Sequence, residues 1–193
     1  MKIALAQIEV KPGHPDSNLA KILEQIERAK KTGVKIVIFS EMVVPGYLLG
    51  DEWENKDFLK ELMEANEVIR EASEGLVVIW GNVAVDKNKK GEDGRWRKYN
   101  SAFIAQDRKW VDNGVFEGRT YKTLMPKYRE FDDERHFFSL IKEADELGIG
   151  IEQALQPFRV EVGGKEISLG LMLCEDMWSS DYAVDPSEIL MKN

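Results

Sequence analysis

The sequence predicts an α/β layered fold, on three observations. Short apolar runs of strand length alternate with longer segments whose apolar residues recur at helical spacing. Two glycine-bearing stretches separate paired runs in the manner of β-hairpins. The chain of 193 residues is 43% hydrophobic, which suffices for one sizeable core and points to a single domain over 1–193.

The elements follow in order. Lys2–Val10, KIALAQIEV, reads as a strand. Asp16 and Ser17 offer a cap to a helix whose Leu19, Ile22, Leu23 and Ile26 share one face, and Gly33 ends it. Val34–Phe39 is a continuous apolar run that delivers Ser40 and Glu41 to the turn residues Pro45 and Gly46. A second amphipathic helix is predicted over Lys56–Ala72, then a strand over Leu76–Val85. Lys87–Lys98 is polar and reads as a hairpin loop, with Tyr99–Ala105 as the return strand. Phe158–Val162 and Ile167–Leu173 form a second hairpin around Gly163-Gly164, and its second arm leads into Cys174.

Composition removes some function classes. No apolar stretch approaches the ~18 residues that span a bilayer, and the first residues lack the pattern of a secretion signal. The net charge of −8 argues against nucleic-acid binding, which needs a basic face. A single cysteine forms no internal disulfide, so the expected compartment is the reducing cytoplasm. The six basic residues of Lys87–Lys98 read as a solvated hairpin tip rather than a docking surface. His14 and His136 lack metal-ligand spacing, and no metal or cofactor is expected on this chain.

Reactive groups in α/β folds gather beyond the carboxyl ends of strands. Three ionisable residues follow apolar runs here: Glu41, Lys122 in GRTYKTLMP, and Cys174 in GLMLCEDMW. An acid, a lysine and a thiol form a coherent set for acyl transfer. The carboxylate takes the thiol proton, and the ammonium stabilises the oxyanion. A backbone N–H after the cysteine adds a donor if Cys174 sits on a tight strand-to-helix turn. Taken one at a time, the bland readings stand beside this one: a lone cysteine is commonly a small buried hydrophobe, and a glutamate or lysine at a strand end is commonly solvated.

The three segments together resemble the nitrilase, or carbon–nitrogen hydrolase, superfamily. FSEMVVPGYLLGDEW resembles its acid-bearing segment, TYKTLMPKYREFDDERHF its lysine segment, and YNSAFIA its Asn-Ser-Ala strand. GLMLCEDMW is similar to its nucleophile segment, in the form found in the N-terminal glutaminase domain of glutamine-dependent NAD synthetases. The resemblance implies an α-β-β-α sandwich and a Glu41–Lys122–Cys174 triad. It further implies hydrolysis of glutamine through a thioester, with Tyr128 and Glu175 holding the substrate and Trp178 walling the pocket. It implies a homo-oligomer and delivery of ammonia to an ATP-dependent NAD synthetase domain or chain. A different small amide as substrate, or a binding domain without turnover, are the alternatives.

The sequence departs from the family in two places. Asp133 stands where the family carries the glutamate that supports the lysine, with Glu134 beside it as a second candidate, and Lys127, Arg129 and Glu130 add charge nearby. After the nucleophile segment, DYAVDPSEILMKN supplies a helix, but the family's later strands are expected to be missing. Completion by another chain, a fragment, and a repurposed domain all remain open. No Ser-Gly-Gly-x-Asp-Ser or Walker loop is present for ATP.

Overall fold

The structure, a computed structural model, describes residues 1–91 and 94–193. Strand β1 (Ile3–Ala6), helix α1 (Pro15–Lys31), β2 (Ile36–Phe39), α2 (Lys56–Ala72) and β3 (Val77–Lys90) form two successive parallel crossovers. Strand β4 (Trp96–Gln106) returns antiparallel to β3, and the short strands β5 (Lys109–Trp110) and β6 (Arg119–Tyr121) both pair with β4. The sheet order is β1-β2-β3-β4-β5, with β6 off that path. Helices α3 (Asp133–His136), α4 (Leu140–Leu147) and α5 (Ile151–Ala154) follow, then a separate hairpin of β7 (Phe158–Val162) and β8 (Lys165–Leu169), then α6 (Pro186–Lys192).

Alternation along the central strands produces the layers. Val37, Phe39, Val78, Trp80, Phe103 and Ala105 face one way and pack with Ile22 and Ile26 of α1 and Leu59, Leu62 and Ile69 of α2. Ile36, Val77, Ile79 and Ile104 face the other way and pack with Phe158 and Val160 of the hairpin. A strand buried on both faces reads as an unbroken apolar run, which is why VKIVIF shows no polar alternation. The result is a helix layer, a six-stranded sheet and a second β layer. At β1 the second face is bare: Ile3 and Leu5, in register with Ile36 and Ile38, are 50% and 78% exposed.

Several boundaries differ from the sequence reading. Helix α2 matches its predicted limits. Its cap is Asn55, whose side chain accepts from the backbone N–H groups of Asp57 and Phe58. Helix α1 instead starts at Pro15, with no side-chain cap, so Asp16 lies inside the first turn; proline at the first helical position has no N–H to satisfy. Strand β1 is shorter than predicted and β8 stops at Leu169, leaving 170–173 outside any strand.

The predicted loop Lys87–Lys98 is largely ladder, because β3 runs to Lys90 and β4 begins at Trp96, with a register shift between Asp86 and Lys90. Its residues 92–93 lie outside the described residues. Its charges are spent internally: Lys89 pairs with Glu143 at 2.6 Å, Lys98 with Glu54 at 2.7 Å, and Arg97 with Glu146. No helix among the described residues is long and apolar enough to cross a membrane.

One glycine positions the site. Gly81 of β3 lies under the segment that follows β2. It donates from its N–H to Ser40 O and accepts from Val44 N–H. A Cβ there would stand 2.4 Å from Met42 N and 2.6 Å from Glu41 Cα. These are backbone atoms that cannot rotate away. We expect Gly81→Ala to lower stability by about 1–3 kcal/mol, as for overpacking of a filled site, and to displace Glu41. A shift of the urea midpoint, with a matching loss of activity, checks this; an unchanged midpoint contradicts the close approach.

Candidate active site

Glu41 leaves the end of β2, and Lys122 follows β6 directly. The backbone N–H of Lys122 donates to Asn100 O of β4, which fixes where the side chain starts. That side chain is 1% exposed. Its ammonium donates to Glu41 Oε1 at 2.9 Å, to Asp133 Oδ2 at 2.8 Å and to the Tyr47 hydroxyl at 3.2 Å. Tyr47 in turn donates to Asp133 Oδ2 at 2.6 Å. Asp133 therefore does what the family's glutamate was expected to do. Glu134 points elsewhere and pairs with Lys127 at 2.7 Å.

Burial opposes a charged Lys122, but the two carboxylates outweigh it and hold the ammonium's pKa well above the usual lysine range. Burial also pushes the Tyr47 hydroxyl well above its ordinary range, with Glu41 and Asp133 adding to the rise and Lys122 opposing it.

Glu41 Oε1 also accepts from Asn100 Nδ2 at 2.6 Å. Its Oε2 accepts from no protein donor among the described residues, so that oxygen is available to take a proton. Asn100 is fully buried and its own Oδ1 has no partner among the described residues.

Cys174 opens a tight 3₁₀ turn, Cys174–Met177, with a left-handed φ of 41°. A side chain in that region is strained by roughly 1 kcal/mol or more, so the surrounding bonds must hold it. They come from Asp176, which is 2% exposed. Its Oδ2 accepts from Leu173 N–H at 3.0 Å, and its Oδ1 accepts from Thr123 and Leu124 N–H at 3.0 and 2.8 Å. One carboxylate thus ties the cysteine turn to the segment that carries Lys122. The thiol is exposed and lines, with Glu41, a cavity of about 490 Å³ whose other walls include Ile79, Gly81, Ala102 and Leu173. Partial burial, and then the charge of Glu41, push its pKa up, while Lys122 pulls it down. The resting group is a thiol, and attack requires a base. The backbone N–H of Glu175, the residue after Cys174, donates to no group among the described residues.

The sequence-predicted residues are thus partly gathered. Glu41, Lys122 and Cys174 come together. Glu175 is 5% exposed and accepts from the Tyr128 hydroxyl at 2.8 Å. Trp178 is a correction: it is 69% exposed and walls no part of the cavity, nor does it fill the core. The 3₁₀ turn closes with Trp178 N–H donating to Glu175 O, and the indole is exposed. Tyr47, Asn100, Asp176 and Tyr182 were not singled out by the sequence. Tyr47, Asn100 and Asp176 lay within quoted motifs and Tyr182 within DYAVDPSEILMKN, and that was the one available signal. Among the described residues no group of three or more His, Cys, Asp or Glu could hold a metal ion.

Comparison with known proteins gives consistent matches. The model of the carbon–nitrogen hydrolase family matches residues 2–188. The glutamine-dependent NAD(+) synthetase of Acinetobacter baylyi is 30% identical over 178 residues, covering 92% of this chain and 27% of that protein. The synthetase of Thermotoga maritima is 27% identical, covering 98% and 27%. The chain therefore spans little more than a quarter of the length of these relatives. Among solved structures, the glutamine-dependent NAD+ synthetase of Acinetobacter baumannii superposes with a TM-score of 0.67 at 29% identity, over 93% of this chain and 28% of that one. An amidase from Nesterenkonia sp. superposes with 0.63 at 20% identity, over 92% and 56%. The fold is the nitrilase-type α/β sandwich that these structures share.

The Asp176 clamp carries a pH signature. Burial raises its pKa to about 6, against the pull of its three backbone donors. The folded chain thus holds this proton to higher pH than the unfolded chain does. The stability from this group is present below about pH 4 and is lost as pH rises through about 6. In Asp176→Asn that loss disappears. Denaturant titrations of both proteins between pH 4 and 7 check it: their stability difference should change across this window, and a constant difference contradicts the assignment.

Proposed function

Because the chain belongs to the carbon–nitrogen hydrolase family, we propose that it is a cysteine amidohydrolase that releases ammonia from glutamine for NAD synthesis. One observation carries the reading. A fully buried lysine is locked between Glu41 and Asp133, below a strained, exposed cysteine that shares a cavity with Glu41.

In this mechanism Cys174 Sγ attacks the side-chain amide carbon, and the carbonyl becomes an oxyanion. The thiol proton passes to Glu41 Oε2. Lys122 Nζ and the Glu175 backbone N–H donate to the oxyanion. Glu41 then protonates the departing nitrogen, ammonia leaves, and a thioester remains on Cys174. Water, deprotonated by Glu41, attacks the thioester. The sulfur leaves and regains a proton, and glutamate is released. Asp133 and Tyr47 keep the ammonium in place throughout, and Asn100 keeps Glu41 turned toward it.

The likeness to glutamine-dependent NAD synthetases supports glutamine as the amide. The ammonia would pass to an ATP-dependent NAD synthetase domain or chain. We further read the site as working in the cytoplasm and in a homo-oligomer, by the single cysteine and the family resemblance respectively.

Ammonia release from glutamine is the test. Cys174→Ala should abolish it with the fold intact by circular dichroism, and an active Cys174→Ala protein refutes the nucleophile. Lys122→Ala should lower kcat by about 10²–10³, as for loss of one oxyanion donor. A fall below threefold in a folded protein contradicts its role.

A further inference from the structure

A second cavity, of about 540 Å³, lies between α2 and the helix side of the sheet. Its volume falls in the range of small-molecule sites, roughly 300–1,000 Å³. Strand β4 divides it from the cysteine cavity. Ala102 lines the cysteine cavity and Phe103 lines this one, and successive residues of a strand point to opposite faces. The two cavities share no lining residue.

Strand register builds its wall. Arg119 and Tyr121 of β6 stand opposite Phe103 and Ser101 of β4, so both share the face of Phe103. Tyr99 stacks on Tyr121 with 4.0 Å between ring centroids, and Trp110 meets Phe103 at 6.0 Å. Gly118 makes room for that indole, because a Cβ there would stand 2.7 Å from Trp110 Cδ2. All four rings line the cavity, and together they offer a large apolar surface to a flat ligand.

Two donors in this cavity lack acceptors. Arg119 donates from Nε to the Tyr121 hydroxyl at 3.1 Å. Its terminal nitrogens donate to no group among the described residues, and no carboxylate among them stands within ion-pair distance. The other charged residues that line the cavity are engaged. Glu67 pairs with Arg70 at 2.9 Å, Asp86 accepts from the backbone N–H groups of Asn88 and Lys89, and Lys87 stands over the Trp96 ring at 5.5 Å. Asn66 of α2 is 4% exposed. Its Oδ1 accepts from Trp80 Nε1 at 2.9 Å and from Asn82 Nδ2 at 2.8 Å. An indole N–H only donates, so the amide cannot be turned over. Its Nδ2 donates to no group among the described residues, and a buried donor left unmet is costly.

We propose that this cavity is a ligand site distinct from the cysteine cavity, and that it takes a flat aromatic carboxylate. The four rings cover the ligand's ring system. The Arg119 guanidinium takes the carboxylate, whose planar geometry matches its fork of donors. The Asn66 amide donates to a further acceptor on the ligand. A small hydrated anion would leave the rings uncovered, and a neutral aromatic would leave the guanidinium unpaired. The inference does not depend on the reaction at Cys174.

Calorimetric titration with 6-hydroxy-2-naphthoate is the test, beside 2-naphthol, which lacks the carboxylate, and cyclohexanecarboxylate, which lacks the rings. The naphthoate should bind one to one and about tenfold more tightly than either, the factor that a hydrogen bond to a charged group supplies. Arg119→Met should weaken the naphthoate about tenfold and leave 2-naphthol within twofold, which also shows the wall intact. Cys174→Ala should bind the naphthoate as the wild type does. Absence of saturable binding overturns the proposal. So does an unchanged naphthoate affinity in Arg119→Met, an equal loss of naphthoate and 2-naphthol in that variant, or weakened binding in Cys174→Ala, which would seat the ligand at the cysteine.

Discussion

The buried Lys122 ammonium is the constraint on which the site depends. A lysine at 1% exposure is tolerable only if its charge and its donors are all met. Glu41, Asp133 and Tyr47 meet them, and they come from the loop after β2 and from the start of α3. Removing Lys122 would leave Glu41 and Asp133 facing one another without their cation, a loss of the order of 3–5 kcal/mol for a broken buried pair. The network therefore fixes two loops against the end of β6 at once. It also explains the close approach at Gly81: Glu41 reaches the lysine only if its backbone lies flat on β3. Catalytic geometry and local stability rest here on the same atoms.

Cys174 is held by different means. Strand β8 ends at Leu169, and Cys174 stands beyond it on a turn that no sheet bond restrains. Asp176 replaces the missing ladder by taking three backbone donors, two of them from Thr123 and Leu124. The cysteine is thus registered to the lysine segment and not to its own hairpin. The desolvated carboxylate is costly, which its raised pKa records, and the strained φ of Cys174 persists because these bonds over-determine the turn.

Sequence patterns reached the parts of this structure that local physics controls. The helical spacing of Phe58, Leu59, Leu62 and Ile69 located α2 to the residue. Apolar runs located the central strands, and the segment just after β2 held Glu41, whereas Cys174 follows an apolar run but stands beyond the end of β8. The motifs then joined Lys122 to that pair. The misses share a cause: their determinants lie far apart in the chain. The ladder of β3 and β4 continues through lysines because their charges find acids on α4 and at Glu54. Tyr47 meets Asp133 across 86 residues, and Asp176 meets Thr123 across 53. Trp178 was expected to wall the pocket from the resemblance alone. Its exposure follows from the direction in which a four-residue turn closes, which spacing does not encode.

The separate anchoring of Cys174 has a consequence for how activity is lost. The turn Cys174–Met177 can come away from Thr123 and Leu124 while every strand pair of the main sheet stays formed, because none of those pairs includes it. Such a sub-global opening involves few bonds and lies below global unfolding in free energy. The thiol, already exposed, would then swing away from Glu41 and Lys122 in a molecule that is spectroscopically still folded. Loss of the site geometry and denaturation are in that sense separate transitions of this chain, and the first depends on the hold of one carboxylate more directly than on the strength of the core.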